Sequence, residues 1–197
     1  MPEDDARLLD RSTSTIIQQV DTMKEMVKAF SDYARSPKLK LQAMDINGLI
    51  EEVLDLYRDE NGRITFSLQL HPGSPLINAD MGRMRQLLNN LIKNAIEAIP
   101  TDQEGEVSIK TKCLKDAHET EFLELTVSDS GIGFPAELVG KIFDPYVTSK
   151  PKGSGLGLAI VKKIVEEHSG VISAENGEQG GALIVIRLPV VHQADSK

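Results

Sequence analysis

Three groups of residues in this 197-residue chain have the types and spacing to handle a polyphosphate. The first is Asp129-Ser-Gly-Ile-Gly133, which directly follows the apolar run Leu123-Glu-Leu-Thr-Val127. A strand ending in aspartate and two spaced glycines sets a carboxylate at a sheet rim, and Gly131 and Gly133 let backbone approach a ligand closely. The same spacing also describes an ordinary tight turn. The second group is Gly153-Ser-Gly155-Leu156-Gly157-Leu158, ahead of a helical pattern. Glycines opening onto a helix N-terminus leave free amides at the positive end of the helix dipole, a setting suited to phosphate. The alternative is a flexible glycine-rich helix start. No Gly-Lys-Ser/Thr follows, so it is not a GxxxxGK[ST] phosphate loop. A loop precedes it and the x-x-Gly ending is missing, so it is not a dinucleotide fingerprint either. The third group is Asn90, Asn94 and Glu97, spaced i, i+4 and i+7 on one helical face. Amide oxygens are hard ligands suited to magnesium, which borrows its remaining ligands from water and phosphate. Otherwise the two amides satisfy backbone groups inside the core.

These groups need elements to hold them. Asp80 is a good N-cap for a helix from about Met81 to Ile99, closed by Pro100. A second helix is predicted from Leu158 to His168 before Gly170, and a short one near Glu137 to Ile142. Asp45 caps an amphipathic helix over Ile46 to Tyr57, followed by an Asn61-Gly62 turn. Strands are read at Ile64 to Leu70, Val107 to Leu114 and Phe122 to Val127, with a short extended piece over Pro75 to Ala79. Val171 to Ala174 and Ala182 to Leu188 read as a hairpin. Hairpin-linked final strands argue for an α+β, two-layer sandwich with a mixed sheet and helices on one face, and against a doubly wound fold.

The first part of the chain differs. Ile16, Val20, Met23, Val27, Phe30 and Ala34 step by 4, 3, 4, 3, 4, the rhythm of a coiled-coil seam. Leu9 and Thr13 extend it, and Ile17 and Met26 widen it. Such a helix is expected to bury its seam on another chain or a neighbouring helix; folding back on the globular part is the alternative. Ser36-Pro37 stops it, and Lys38 to Met44 reads as a linker, so residues 1–44 separate from a domain over 45–197.

Composition narrows the classes. With 40% hydrophobic and 26% charged residues the chain can bury a core. A formal charge of -8 and a pI near 5.1 argue against a nucleic-acid-coating surface, so a bound polyanion must rely on local amides, lysines and a metal. No apolar run is long enough to span a membrane, and the acidic start Met1-Pro-Glu-Asp-Asp shows no signal sequence. One cysteine, Cys113, read as a small buried hydrophobe, fits a reducing cytoplasm.

Taken in order, the three groups resemble the ATP-binding catalytic domain of sensor histidine kinases, in the superfamily shared with DNA gyrase and MutL. Asn90-Leu-Ile-Lys-Asn94-Ala resembles that family's asparagine box, and Asp129–Gly133 and Gly153–Leu158 resemble its two glycine boxes. Phe143-Asp-Pro-Tyr146 with Thr148-Ser-Lys150 resembles its aromatic box, and Gly180-Gly-Ala182 its last glycine element. The helix before Ser36 is similar to the second helix of the family's dimerisation hairpin, and the wording looks most like nitrogen-regulation sensors of the NtrY kind.

The resemblance implies a role for each residue. Asp129 would accept the adenine exocyclic amine, flanked by Gly131 and Gly133. Asn94 would ligate magnesium, supported by Asn90. Gly153, Gly155, Leu156, Gly157 and Leu158 would line the phosphates, and Tyr146 and Lys150 would belong to a lid over the nucleotide. ATP and Mg2+ are the implied cofactors. The implied partners are the phosphoacceptor-histidine helix of the same parent kinase, a response regulator receiver domain, and a second copy through the Ile16–Ala34 helix, with no nucleic acid and no membrane contact.

Two departures stand out. Many members carry a cation three residues after the second asparagine, where this chain has Glu97, which leaves Lys150 as the expected neutralising charge. None of His71, His118, His168 and His192 has the family's acceptor setting, so all four are read as structural, His168 as a cation suited to its helix end. The chain then reads as a catalytic fragment beginning inside a larger sensor. The alternative function is a gyrase- or MutL-like ATPase or nucleotide switch, whose members carry glutamate where Asn90 stands; an amide there cannot take a proton from water. A non-enzymatic docking module with a dead pocket is a third reading, against which the intact glycine boxes argue.

Overall fold

The computed structural model describes residues 9, 11–17, 19–20, 23–24, 27, 30–31, 38–57, 62–73, 75–115, 119–150, 153–178 and 180–191. Met26, Ala34, the Ser36-Pro37 stop, Asn61, His118 and His192 lie outside them. The described residues between 9 and 31 are helical, and Leu9, Ile16, Ile17, Val20, Met23, Val27 and Phe30 are all exposed.

Asp45 Oδ1 accepts the Asn47 amide at 2.9 Å and caps α1 (Ile46–Asp55). Five strands form one sheet in the order β2-β4-β5-β7-β6, made of β2 (Ile64–Gln69), β4 (Gly105–Lys115), β5 (Glu121–Asp129), β6 (Val171–Asn176) and β7 (Ala182–Pro189). Only β2 and β4 run parallel, with Phe66 opposite Val107; the other three pairings are antiparallel. This is the mixed, hairpin-terminated sheet expected. The crossover from β2 to β4 carries β3 (Leu76–Ala79) and the long helix α2 (Met81–Ala98), and α3 (Gly157–Glu167) enters just before β6.

Alternation decides which face is covered. Val107 and Ile109 of β4, Leu123, Leu125 and Val127 of β5, and Ile184, Ile186 and Leu188 of β7 point one way. Leu87, Leu88, Leu91 and Ile92 of α2 and Ile160, Val161, Ile164 and Val165 of α3 join them in one core, with Ile46, Ile50 and Val53 of α1. A buried polar relay fastens α1 to the sheet: Asn47 Nδ2 donates to His71 O (3.0 Å), Thr111 Oγ1 donates to Asn47 Oδ1 (2.9 Å), and His71 N donates to Thr111 Oγ1 (2.9 Å).

Four sequence expectations change. Lys38 to Met44 is not all linker: β1 (Gln42–Asp45) pairs antiparallel with β3, Gln42 opposite Ala79, a non-local pairing with no short-range signature. The helix near Glu137 to Ile142 shrinks to a 3-10 turn at Val139–Lys141, seated on Pro135, whose carbonyl accepts the Leu138 and Val139 amides. Cys113 is half-buried rather than buried. His168 is buried rather than a solvated end group, with Nε2 accepting the Asp80 amide at 3.0 Å and Nδ1 lying 2.7 Å from Ile164 O, so it ties the end of α3 to the start of α2.

On the sheet face away from the helices, Glu124 sits between two cations on the flanking strands, Lys112 Nζ at 2.9 Å and Arg187 Nε at 2.8 Å. Burial pushes its carboxyl upward, but the two hydrogen bonds and charges outweigh that and hold it below the ordinary glutamate range. Stability from this group is therefore present above the ordinary carboxylate range and is lost as pH falls through the lowered folded value. Glu124→Ala is expected to cost about 1–2 kcal/mol in denaturant unfolding near neutral pH, because the exposed cations can rehydrate. Glu124→Gln should flatten the acid limb of the stability curve; an unchanged limb would remove this group from the account.

Candidate nucleotide site

The last two turns of α2 are the hub. Asn90 and Asn94 are half-buried and Glu97 is exposed, all on the same flank. The mouth of α3 faces the two amides: a methyl group on Gly157 would lie 3.5 Å from Asn94 Nδ2 and 3.9 Å from Asn90 Oδ1. No side chain caps α3, so first-turn N–H groups, those of Gly157 and Leu158 among them, are left for a ligand. The Leu156 amide is turned instead to Ser154 Oγ at 3.3 Å, and the Leu156 side chain is buried.

The Asp129 turn lands on the same helix. Ile132 N donates to Ala98 O at 3.1 Å, and a side chain at Gly131 would run into the Ala98 carbonyl. Asp129 Oδ1 accepts the amides of Gly131 (2.9 Å) and Ala182 (3.3 Å), while Oδ2 accepts none among the described residues. Burial raises the Asp129 carboxyl above the ordinary aspartate range, opposed by those two N–H groups and the Lys150 charge. Gly181, at φ +75°, lies so close that a side chain there would collide with the Asp129 carbonyl.

The segment between the two glycine boxes reaches the same helix through Lys150. Gly155, at φ +67°, leaves room for the Tyr146 backbone, which a methyl would meet at 2.5 Å, and Tyr146 N donates to Gly155 O at 2.9 Å. Tyr146 itself has φ +66°, uncommon for a side chain of that size. Lys150 Nζ reaches Asn94 Oδ1 at 3.4 Å and Glu97 Oε2 at 2.7 Å. Gly153 N donates to Lys150 O at 3.1 Å, so that glycine shapes the lysine's turn. Gly133 is at φ +67° beside Asn176. Lys150, the mouth of α3 and the turn after Asp129 thus all meet the last two turns of α2, while Tyr146 and Gly155 hold each other and Gly133 lies beside Asn176.

Asn176 escaped the sequence reading. Its Oδ1 accepts the Phe134 amide at 2.7 Å and its Nδ2 donates to Phe134 O at 2.8 Å, a reciprocal grip on the stretch after Gly133. An Asn-Gly pair between two strands signals a turn, and nothing local says that the amide serves another loop.

With this geometry in view, likeness to known proteins is informative. Residues 79–192 match the family described as Histidine kinase-, DNA gyrase B-, and HSP90-like ATPase. The chain belongs to that family. The chain is the ATPase domain of a sensor histidine kinase, similar to the nitrogen regulation protein NtrY of Azorhizobium caulinodans, at 36% identity over 93% of this chain and 24% of the relative. The chain spans about a quarter of the length of these curated relatives. Among solved structures, full-length ShkA in complex with AMPPNP is 26% identical with a TM-score of 0.75, covering 93% of this chain and 39% of that one. The histidine kinase ThkA in complex with the response regulator TrrA is 31% identical with a TM-score of 0.72, covering 90% and 50%. Among the described residues of this ATPase domain no helix is long and apolar enough to cross a membrane, and no group of three or more His, Cys, Asp or Glu could hold a metal.

Asn176→Ala should remove two exposed hydrogen bonds at a cost of about 1 kcal/mol. Exchange at the Phe134 amide should accelerate while core amides in α2 keep their protection. Equal protection at Phe134 in both proteins would show that the grip is not what orders this stretch.

Proposed function

We propose that this chain is the catalytic unit of a sensor kinase that binds Mg-ATP and transfers the γ-phosphate to a histidine on a dimerisation helix of the same parent kinase. A response regulator receiver domain would take the phosphate onward. The observation that supports this most is the meeting of Asn94, the uncapped mouth of α3 and Lys150, with the Asp129 turn resting on Ala98 at the end of the same helix.

The donor set fits its ligands. Asp129 Oδ2 can accept the exocyclic amine of adenine and would face the carbonyl of guanine unfavourably. Asn94 Oδ1 already faces a cation, the Lys150 ammonium, so an electropositive partner suits it; Asn94 would hold magnesium, with Asn90 beside it. Bound there, the metal supplies charge neutralisation to the phosphates. The remaining work falls on the chain. The N–H groups of Gly157 and Leu158 would bind phosphate oxygens, Tyr146 and Lys150 would cover the site and exclude water, and Lys150 would take up the negative charge gathering on the departing ADP as the γ-phosphorus passes to the imidazole nitrogen. Asn90 has no proton-accepting oxygen basic enough to activate water, which favours transfer over hydrolysis.

The exposed apolar stripe Ile16, Val20, Met23, Val27 and Phe30 supports pairing with a second copy or with an acceptor helix of the parent kinase. The cytoplasmic side of a cell is the compartment this reading implies.

Asp129→Asn is expected to weaken AMPPNP binding by at least 100-fold in calorimetry, since the amide presents a donor to the adenine amine. Because burial raises Asp129, wild-type affinity should fall on acidification before ordinary aspartates protonate, and this limb should vanish in the variant. The chain alone should show no phosphohistidine with labelled ATP, and should phosphorylate an added acceptor-helix segment of the parent. Brisk hydrolysis with no transfer would sink the kinase reading and favour the ATPase one.

A further inference from the structure

Glu97 places a negative charge among the groups read as a triphosphate site, where electrostatics alone would disfavour it. Its partners account for it. Glu97 Oε2 lies 2.7 Å from Lys150 Nζ, and Oε1 lies 3.9 Å from Lys93 Nζ on the same helix. Lys150 Nζ lies 3.4 Å from Asn94 Oδ1 as well, so one ammonium bridges a carboxylate and an amide oxygen one helical turn apart. Its main chain is fixed on both sides: Lys150 N donates to Thr148 Oγ1 at 3.1 Å, and Gly153 N donates to Lys150 O. A methyl on Gly153 would meet Thr148 Oγ1 at 2.5 Å and Lys150 Cβ at 3.1 Å, which shows how tightly this turn is wound.

We propose that Glu97 is a positioning residue for Lys150, seating its ammonium on Asn94 Oδ1 until a divalent cation and nucleotide displace it. This rests on the nucleotide reading of the site. Two cations cannot share one amide oxygen without repelling each other, so the lysine and the metal compete for Asn94. The side chains of Lys150 and Glu97 remain 35% and 41% exposed, which keeps the pair weak enough for a polyanion to part it. Glu97 therefore sets how strongly the site depends on metal: it holds back a lysine that could meet phosphates unaided.

The test is a double-mutant cycle on the 197-residue chain, reading AMPPNP affinity in EDTA and in Mg2+ for wild type, Glu97→Gln, Lys150→Met and the double variant. Glu97→Gln should tighten binding in EDTA by roughly fivefold and shrink the ratio between the two conditions. In the Lys150→Met background the same change should do little. An equal gain in both backgrounds would mean simple repulsion of phosphate by Glu97 and would overturn the proposal, as would no gain in either. A nucleotide-free arm stands apart from the functional reading. Amide exchange at Lys150 and Gly153 should speed up in each single variant and no further in the double. Unchanged exchange would discard the seat even if nucleotide binds; a chain that binds no nucleotide but shows this exchange pattern would discard the function and keep the seat.

Discussion

The site depends on how near other backbones come to the last two turns of α2. The mouth of α3 presses on the flank at Asn90 and Asn94, and the turn after Asp129 lies on the Ala98 carbonyl. Only the second approach excludes a methyl group: at Gly131 it would collide with the Ala98 carbonyl oxygen, whereas at Gly157 it would sit at ordinary contact distance from the two amides. The far ends of the two helices are tied independently. Asp80 accepts the amides of Arg83 and Lys40 while its own amide donates to His168 at the end of α3. Arg83 adds an ion pair to Glu167 at 3.1 Å. With α2 and α3 fastened at one end and packed on the sheet along their length, the uncapped mouth of α3 has little freedom in where it points.

Charge follows from that placement. The chain is acidic as a whole, at -8, so it offers a polyanion no general attraction. Attraction has to be made within a few ångströms, from first-turn amides that water alone would otherwise satisfy and from Lys150. Two carboxylates, Asp129 and Glu97, feel the Lys150 charge, and each is managed differently. Asp129 is partly desolvated and aimed by two backbone donors, leaving one oxygen to accept from a ligand. Glu97 is solvated and neutralised by Lys150. A local arrangement of this kind is weakly screened where it is buried and strongly screened at Glu97.

Much of this was legible in the residues because the signals were local. The cap at Asp80, the apolar period of α2, the alternation in β4, β5 and β7 and the glycine spacing each depend on neighbours within a few positions, and the elements appear where they were read. What was not legible depends on partners far along the chain. β1 exists because β3 lies beside it, its paired residues 31 to 37 positions on, a pairing that no window over Gln42–Asp45 reveals. Asn176 serves Phe134 across 42 positions, so its turn-forming context hides its use. His168 at a helix end reads as a cation by the dipole rule, and only the Asp80 amide arriving from 88 positions away makes its ring an acceptor. The site residues were readable as three motifs, but the pairing of Lys150 with Glu97 was not, since a lysine in an irregular segment has no pattern to locate it.

The division between rigid and irregular parts bears on how the site can work. Asn90, Asn94 and Glu97 stand on an 18-residue helix with a fully packed apolar side, so they are fixed points. Between Ser130 and Leu156 the described backbone has one short 3-10 turn, two positive-φ glycines and a left-handed Tyr146 whose side chain is 60% exposed. A tyrosine in that backbone region carries strain that its own packing does not repay, because most of its ring faces solvent. Its amide bond to Gly155 O and the Lys150 contacts hold the stretch from Tyr146 to Lys150, whereas Asn176 grips Phe134 and buried Ile142 and Leu156 anchor the parts on either side. These contacts are few and polar, so the stretch from Tyr146 to Lys150 has less to hold it than the packed helix beneath. A ligand that bonds to Lys150 would thus draw the segment with it, whereas the same ligand can only adapt to Asn94.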